Sequence, residues 1–193
     1  MDELPTLAPV KLTCTSRDCE NDKHCYRPKR GGWKSEPVGE CQGCGDRSVD
    51  MSVTRARDRS APNAIFCELG REFIRDHYLQ KPIDRRARRL IRRDGVDGVR
   101  AKAADRLRKS IGGEPDAFDG RQTKLEGNVL FYAQHATATC CRRCAWYWYG
   151  IPMTGPMADH DLAFCIKMVD AYLDGREGEM RAIEATAEKE RRK

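Results

Sequence analysis

No stretch of this sequence is apolar for long enough to cross a bilayer, which takes about 20 residues. Met1 to Val10 has neither the basic start nor the apolar core of an export signal. Secretion and membrane insertion are therefore not expected; a cytoplasmic protein with reduced thiols is. Apolar residues are limited too: hydrophobic types make up 39% of the chain and charged types 34%. That balance permits a modest helical core but is not a disordered composition. One domain plus a small appendage fits 193 residues.

Cysteine is abundant, with ten in the chain. Without an export signal the thiols are expected to bind metal rather than each other. The first group lies between Met1 and Asp50: Cys14, Cys19, Cys25, Cys41 and Cys44. Cys41-Gln42-Gly43-Cys44-Gly45 is a CxxCG loop, whose tight turn lets two thiolates face one cation. Glycine after the second cysteine takes the positive φ that the turn needs. The partner pair is Cys14 with Cys19, spaced as a CxxxxC knuckle, or alternatively Cys19 with Cys25. Four thiolates around zinc would fix a segment that otherwise has almost no core. The expected ligands are Cys14, Cys19, Cys41 and Cys44, in a small β-rich zinc ribbon with Lys11 to Thr13 as a short strand, a turn at Gly31-Gly32, and Cys25 inside a strand from His24 to Arg27.

The excess positive charge is local. Net charge is +6, yet Lys81 to Ser110 holds twelve basic residues against four acids. A concentrated basic patch suggests a polyanionic partner. Pro82 opens a helix with Ile83, Ala87, Leu90 and Ile91 on one face and Arg85, Arg86, Arg89, Arg92 and Arg93 on the rest. It stops at Asp94-Gly95, and a second helix follows with Val99, Ala103, Leu107 and Ile111 inward. Gly95-Val96-Asp97-Gly98 between them resembles the turn of a helix-hairpin-helix, whose amides hold a DNA phosphate. Its glycines are three apart rather than two, so an ordinary αα-corner is the default.

The remaining chain reads as a mostly α domain. Ser48 to Asn63 is a polar, arginine-containing linker, and Ile65 to Gln80 has helical spacing, with Cys67 as a small buried residue and His77 at the core edge. Gly112 to Gly127 is a long loop, and Asn128 to Ala133 is apolar and partly β-like. Ala158 to Asp174 carries an apolar stripe of Leu162, Cys165, Ile166, Val169, Tyr172 and Leu173. Arg176 to Lys193 is a charged tail, a solvated or frayed helix.

Gln134 to Tyr149 packs one histidine, three thiols and four aromatics into sixteen residues. A helix starting at Cys140 would put Cys140 and Cys144, and Cys141 and Cys144, on shared faces, with its dipole favouring thiolate. His135, Cys140, Cys141 and Cys144 form a possible second metal site, with His160 or Cys165 available as a further ligand. A metal- or cysteine-dependent enzyme centred on the same residues, with Gln134 and Asp119 near, is the alternative. The third option is plain burial of these side chains. The aromatics Trp146 to Tyr149 cannot all face inward on one helix.

The segments CTSRDCENDKHCYRP, CQGCG, DGRQTKLEGNVLFYAQHATATCCRRC and GIP resemble a family of uncharacterised bacterial proteins over nearly the full length. The resemblance implies an N-terminal zinc-ribbon-like part followed by a helical domain of unknown function with the QHATATCC signature. It also implies a histidine before Gly-Ile-Pro where this chain has Tyr149, so a second metal site would lack one ligand here, with Cys165 as the substitute.

The expected organisation is a ribbon over 1–50, a linker over 51–63, a helical domain over 64–175 and a charged tail over 176–193. The expected function is a zinc-binding protein that contacts nucleic acid through Arg85, Arg86, Arg89, Arg92 and Arg93. A ribbon that docks a protein partner is a further alternative.

Overall fold

The computed structural model describes residues 12–28, 38–114 and 123–191. The expected strand start at Lys11, the Gly31-Gly32 turn and Asp119 lie outside them. The chain is mostly helical, as the periodicity implied. None of the described helices is long and apolar enough to cross a membrane.

Helix α1 (Met51–Ala56) falls inside the expected linker. Asp50 caps it, accepting from Ser52 N at 2.8 Å, and it packs on α2 and α7. The apolar run read as one helix is two: α2 (Pro62–Leu69) and α3 (Phe73–Gln80). Gly70 ends the first, its N–H bonded to Phe66 O at 2.9 Å. The break lets both present buried side chains, Ile65 and Leu69 from α2, Ile74 and Tyr78 from α3. Cys67, expected inside, is exposed, because the buried face of so short a helix is already filled by those two residues.

Asp84 opens α4 (Arg85–Ala101), accepting from Arg86 N at 2.7 Å and Ala87 N at 2.9 Å. Gly95, at φ +71°, interrupts it where the sequence placed a stop. Then come α5 (Ala103–Leu107) and a π-turn to Gly112. The expected β-like segment is instead α6 (Val129–Ala136), started by Asn128, which accepts from Leu130 N at 2.9 Å. A short apolar run buried nearly all round gives no periodicity to separate strand from helix. Helix α7 (Arg142–Tyr149) starts two residues later than expected, so Cys140 and Cys141 precede it; Gly150, at φ +69°, ends it. Helix α8 (Asp159–Gly175) buries most of the expected stripe.

Over its described residues the C-terminal tail is a docked helix rather than a free one. It forms α9 (Glu177–Arg191), which lies along α4 and buries Met180, Ile183 and Ala187. Helix α3 packs along α6, and α8 against α5 and α6. Tyr172 Oη ties α8 to α3, donating to Tyr78 O at 3.0 Å.

Among its described residues the N-terminal segment shows no β-rich ribbon of the kind expected. Two isolated bridges stand there in place of a ladder: Asp18 with Lys23, and His24 with Glu72. Its backbone pairs with the helical domain as well as with itself. His24 N donates to Arg71 O and Phe73 N to His24 O, both at 2.9 Å. Tyr26 packs edge-on against Trp148 of α7, with ring centroids 6.0 Å apart.

Candidate metal centres

Cys19, His24, Cys41 and Cys44 bring one ligand atom each into a group whose members all lie within 4.8 Å of one another. Cys19 sits in a 3-10 turn, His24 on the backbone bridge to Glu72, and Cys41 and Cys44 on the CxxCG knuckle. Gly45 takes φ +80°, as that knuckle requires. Tetrahedral coordination with metal–sulfur bonds of about 2.3 Å sets neighbouring sulfurs about 3.8 Å apart, and a sulfur and an imidazole nitrogen about 3.6 Å apart. The Cys19 and Cys41 sulfurs are 3.8 Å apart, and His24 Nδ1 is 3.5 Å from Cys44 Sγ. These distances allow the four side chains to bind a metal ion.

The surroundings support the same use. With Nδ1 aimed at the thiols, Nε2 of His24 meets Asp22 Oδ1 at 2.9 Å and Asp46 Oδ2 at 3.5 Å. Carboxylates on the far nitrogen orient a ligating histidine and raise its basicity. Gly43 N donates to Cys41 Sγ at 3.4 Å. Burial opposes ionisation of Cys41, but backbone amides at Cys25, Cys44 and Gly43, then His24, hold its thiol down at about 6. Burial, then bonds to Cys44 and Cys41, push Cys19 up to about 12. The knuckle sulfur is thus the readier thiolate.

Cys14, expected as a ligand here, is not in this group; His24 stands in its place. The sequence signal for His24 was available, since it lies five residues after Cys19 and beside Cys25, but thiol spacing alone pairs cysteines with cysteines. Cys25 is buried and its Sγ lies 3.9 Å from Cys14 O.

The second group is Cys140, Cys141 and Cys144, each about 3% exposed, with sulfurs within 4.8 Å of one another; this trio could also bind a metal ion. The turn 137–141, with Ala138 at φ +54°, folds the first two thiols back over the start of α7. Arg75 of α3, itself buried, reaches them: Nη2 lies 3.1 Å from Cys144 Sγ and Nη1 3.6 Å from Cys140 Sγ. Bonds from Cys141 and Cys144 hold the Cys140 thiol well below its ordinary range; burial opposes this and Arg75 assists. The trio therefore favours a thiolate at Cys140.

His135 does not join them. Its ring stacks on Tyr78 with centroids 4.7 Å apart, and Nε2 meets Lys124 O at 3.2 Å. Burial, then Arg75, press its pKa down to about 4, so the imidazole is neutral. Its carbonyl accepts from Arg75 Nη1 at 2.6 Å. Gln134 is consumed structurally, between Arg106 Nε at 3.0 Å, Ser110 Oγ at 3.0 Å and Thr139 O at 3.1 Å. His160 is exposed, and Cys165 is buried outside the trio, its thiol pushed up to about 12 by burial and then Asp161. Tyr149 donates from Oη to Thr137 O at 2.6 Å and pins the thiol turn to α7. Three of the four aromatics at 146–149 are buried, because α7 is covered on several sides.

The cavity beside Cys144, lined by Arg27, Glu72, Arg75, Tyr147 and Trp148, is about 10 Å³, too small for a substrate.

The basic helix is partly neutralised. Arg92 pairs with Glu190 at 2.9 Å, Arg93 with Asp94 at 2.8 Å, and Arg100 with Asp174 at 2.7 Å and Glu177 at 3.0 Å. Arg85, Arg86 and Arg89 are exposed and form no ion pair among the described residues. The hairpin-like turn is also occupied: Val96 N donates to Glu184 Oε1 at 3.2 Å.

Residues 63–174 match the family described as a domain of unknown function, DUF4186. No solved structure matches the chain.

Proposed function

We propose, from the premise that this chain belongs to the DUF4186 family, that it is a zinc-binding protein whose first metal centre is structural. Cys19, His24, Cys41 and Cys44 hold the ion and fasten the N-terminal segment to the family domain through the His24–Glu72 bridge. The observation that carries this is the match between the 3.8 Å sulfur–sulfur and 3.5 Å sulfur–nitrogen separations and a tetrahedral site. A filled shell of three thiolates and one imidazole leaves no position for substrate, which marks the centre as structural rather than catalytic. Such a site suits a reducing compartment, the cytoplasm. Elemental analysis tests the reading: a Cys41→Ser/Cys44→Ser variant loses one zinc ion per chain. An unchanged metal content would overturn it.

A second reading has its own observation. The unpaired guanidiniums of Arg85, Arg86 and Arg89 form a small cationic face beside the N-terminus of α4, and nucleic acid is the polyanion we assign to it. The expected contribution of Arg92 and Arg93 is reduced by their acidic partners. Charge reversal of Arg85, Arg86 and Arg89 is expected to abolish retention on DNA and RNA at moderate salt; retention that survives would overturn this reading. Binding to a protein column that salt does not weaken would favour the docking alternative instead.

A further inference from the structure

We infer that Cys14 completes the buried thiol trio as its fourth ligand, making a second, four-thiolate zinc centre that ties the N-terminal segment to the QHATATCC turn. The first centre joins His24 to α3; this one joins the same segment to α7. It goes beyond the structural centre proposed above and does not depend on it.

Three buried sulfurs lie within 4.8 Å of one another, the spacing of ligands that face one ion. A mononuclear tetrahedral ion sets sulfurs about 3.8 Å apart and accounts for it. The guanidinium of Arg75 points N–H groups at two of the sulfurs, at 3.1 and 3.6 Å. Donors aimed at sulfur are what metal-bound thiolates accept from their surroundings. A closed tetrahedral zinc site needs a fourth ligand: His135 is stacked on Tyr78, His160 is exposed and Cys165 is buried elsewhere, while Cys14, whose thiol also lies outside the 4.8 Å group, would have to close onto the ion.

The N-terminal segment brings Cys14 to the trio. Tyr26 lies on Trp148, four residues beyond Cys144 on α7. Arg27 lines the same small cavity as Arg75 and Cys144. Cys25 Sγ rests 3.9 Å from Cys14 O, which holds Cys14 against this junction. Cys14 is also close enough to feel the charges of Cys140, Cys144, Arg75 and Arg27. Four thiolates and Zn²⁺ carry two negative charges. Arg75 and Arg27 supply two positive ones and Glu72, paired to Arg75 at 2.9 Å, one negative, so the two arginines offset most of the site's charge.

Zinc counts on purified wild type, Cys14→Ser and Cys41→Ser/Cys44→Ser test the inference. Wild type is expected to hold two ions per chain and each variant one. If wild type holds one ion that Cys41→Ser/Cys44→Ser loses and Cys14→Ser keeps, this inference falls and the first centre stands. If Cys14→Ser loses the single ion and Cys41→Ser/Cys44→Ser keeps it, the first centre falls and this one stands. Two ions retained by Cys14→Ser would remove Cys14 from the site. Should Cys14→Ser fail to fold, X-ray absorption at the zinc edge of wild type decides. Seven sulfur ligands to one nitrogen across two ions support Cys14, and six sulfurs to two lighter atoms overturn it.

Discussion

Arg75 and Glu72, one helical turn apart at the start of α3, form a 2.9 Å ion pair in which both side chains are 2% exposed. Burial raises the Glu72 carboxyl, and Arg75 counters it. The guanidinium also donates to His135 O and faces two cysteine sulfurs. One side chain therefore links the α3 entry, the α6 C-terminus and the thiol turn. Arg75→Met is expected to destabilise the fold by about 3–5 kcal/mol, because it leaves a buried carboxylate and a carbonyl without their donor. Glu72→Gln/Arg75→Met should recover part of that loss. Urea unfolding of the two variants against wild type measures both.

Asp84 supplies a pH dependence with a defined sign. Burial opposes its ionisation, yet Tyr132 Oη and the amides of Ala87, Gly127 and Arg86 hold its pKa at about 2 against an ordinary 3.8. A carboxyl depressed on folding stabilises the native state above its unfolded pKa and loses that contribution as pH falls. The stability difference between wild type and Asp84→Asn is therefore expected to be constant above about pH 5 and to shrink between about pH 4 and pH 2. Urea midpoints across that range give the comparison; a difference that grows toward low pH would contradict it.

The helical elements were legible where periodicity and punctuation coincided. Pro82 marked the approach to α4, which begins three residues later at Arg85, and Gly95 its break. Segment 128–136 was not, because residues buried on every side leave no polar face to set a period. The tail was read as solvated, since Met180, Ile183 and Ala187 are a thin stripe whose partner, α4, lies some ninety residues earlier. At the metal centres, thiol chemistry was legible but pairing was not. The CxxCG knuckle is local, whereas the choice of His24 over Cys14 follows from the backbone bridge to Glu72, a contact between distant parts of the chain.

Gly95 and Gly98 separate backbone strain from mere loss of glycine. Gly95 sits at φ +71°, and a Cβ there would meet Glu184 Oε1 at 2.7 Å. Gly98 is helical, and its Cβ would meet only Asp94 Cβ at 3.4 Å. Gly95→Ala is expected to cost about 1–2 kcal/mol. Gly98→Ala is expected to be neutral or to stabilise by about 0.5–1 kcal/mol, through helix propensity. Thermal melts of the two variants should move apart; equal shifts would contradict the assignment.

The acidic face of α9 sets how much of the arginine charge on α4 reaches solvent. Glu190 holds Arg92, Glu177 holds Arg100 together with Asp174 at the end of α8, and Glu184 accepts the Val96 amide in the turn. If α4 contacts nucleic acid, these carboxylates occupy positions that phosphates would otherwise take. Glu184→Gln/Glu190→Gln is then expected to tighten binding several-fold at low salt, with little change in fold because both side chains keep their length. Reversing Arg85, Arg86 and Arg89 removes three phosphate contacts and should flatten the slope of log K against log salt by about 2.7. Fluorescence titrations of a labelled duplex at several salt concentrations measure both effects. Unchanged affinity in the glutamine variant, together with an unchanged slope in the arginine variant, would leave α4 and α9 as a purely structural pair.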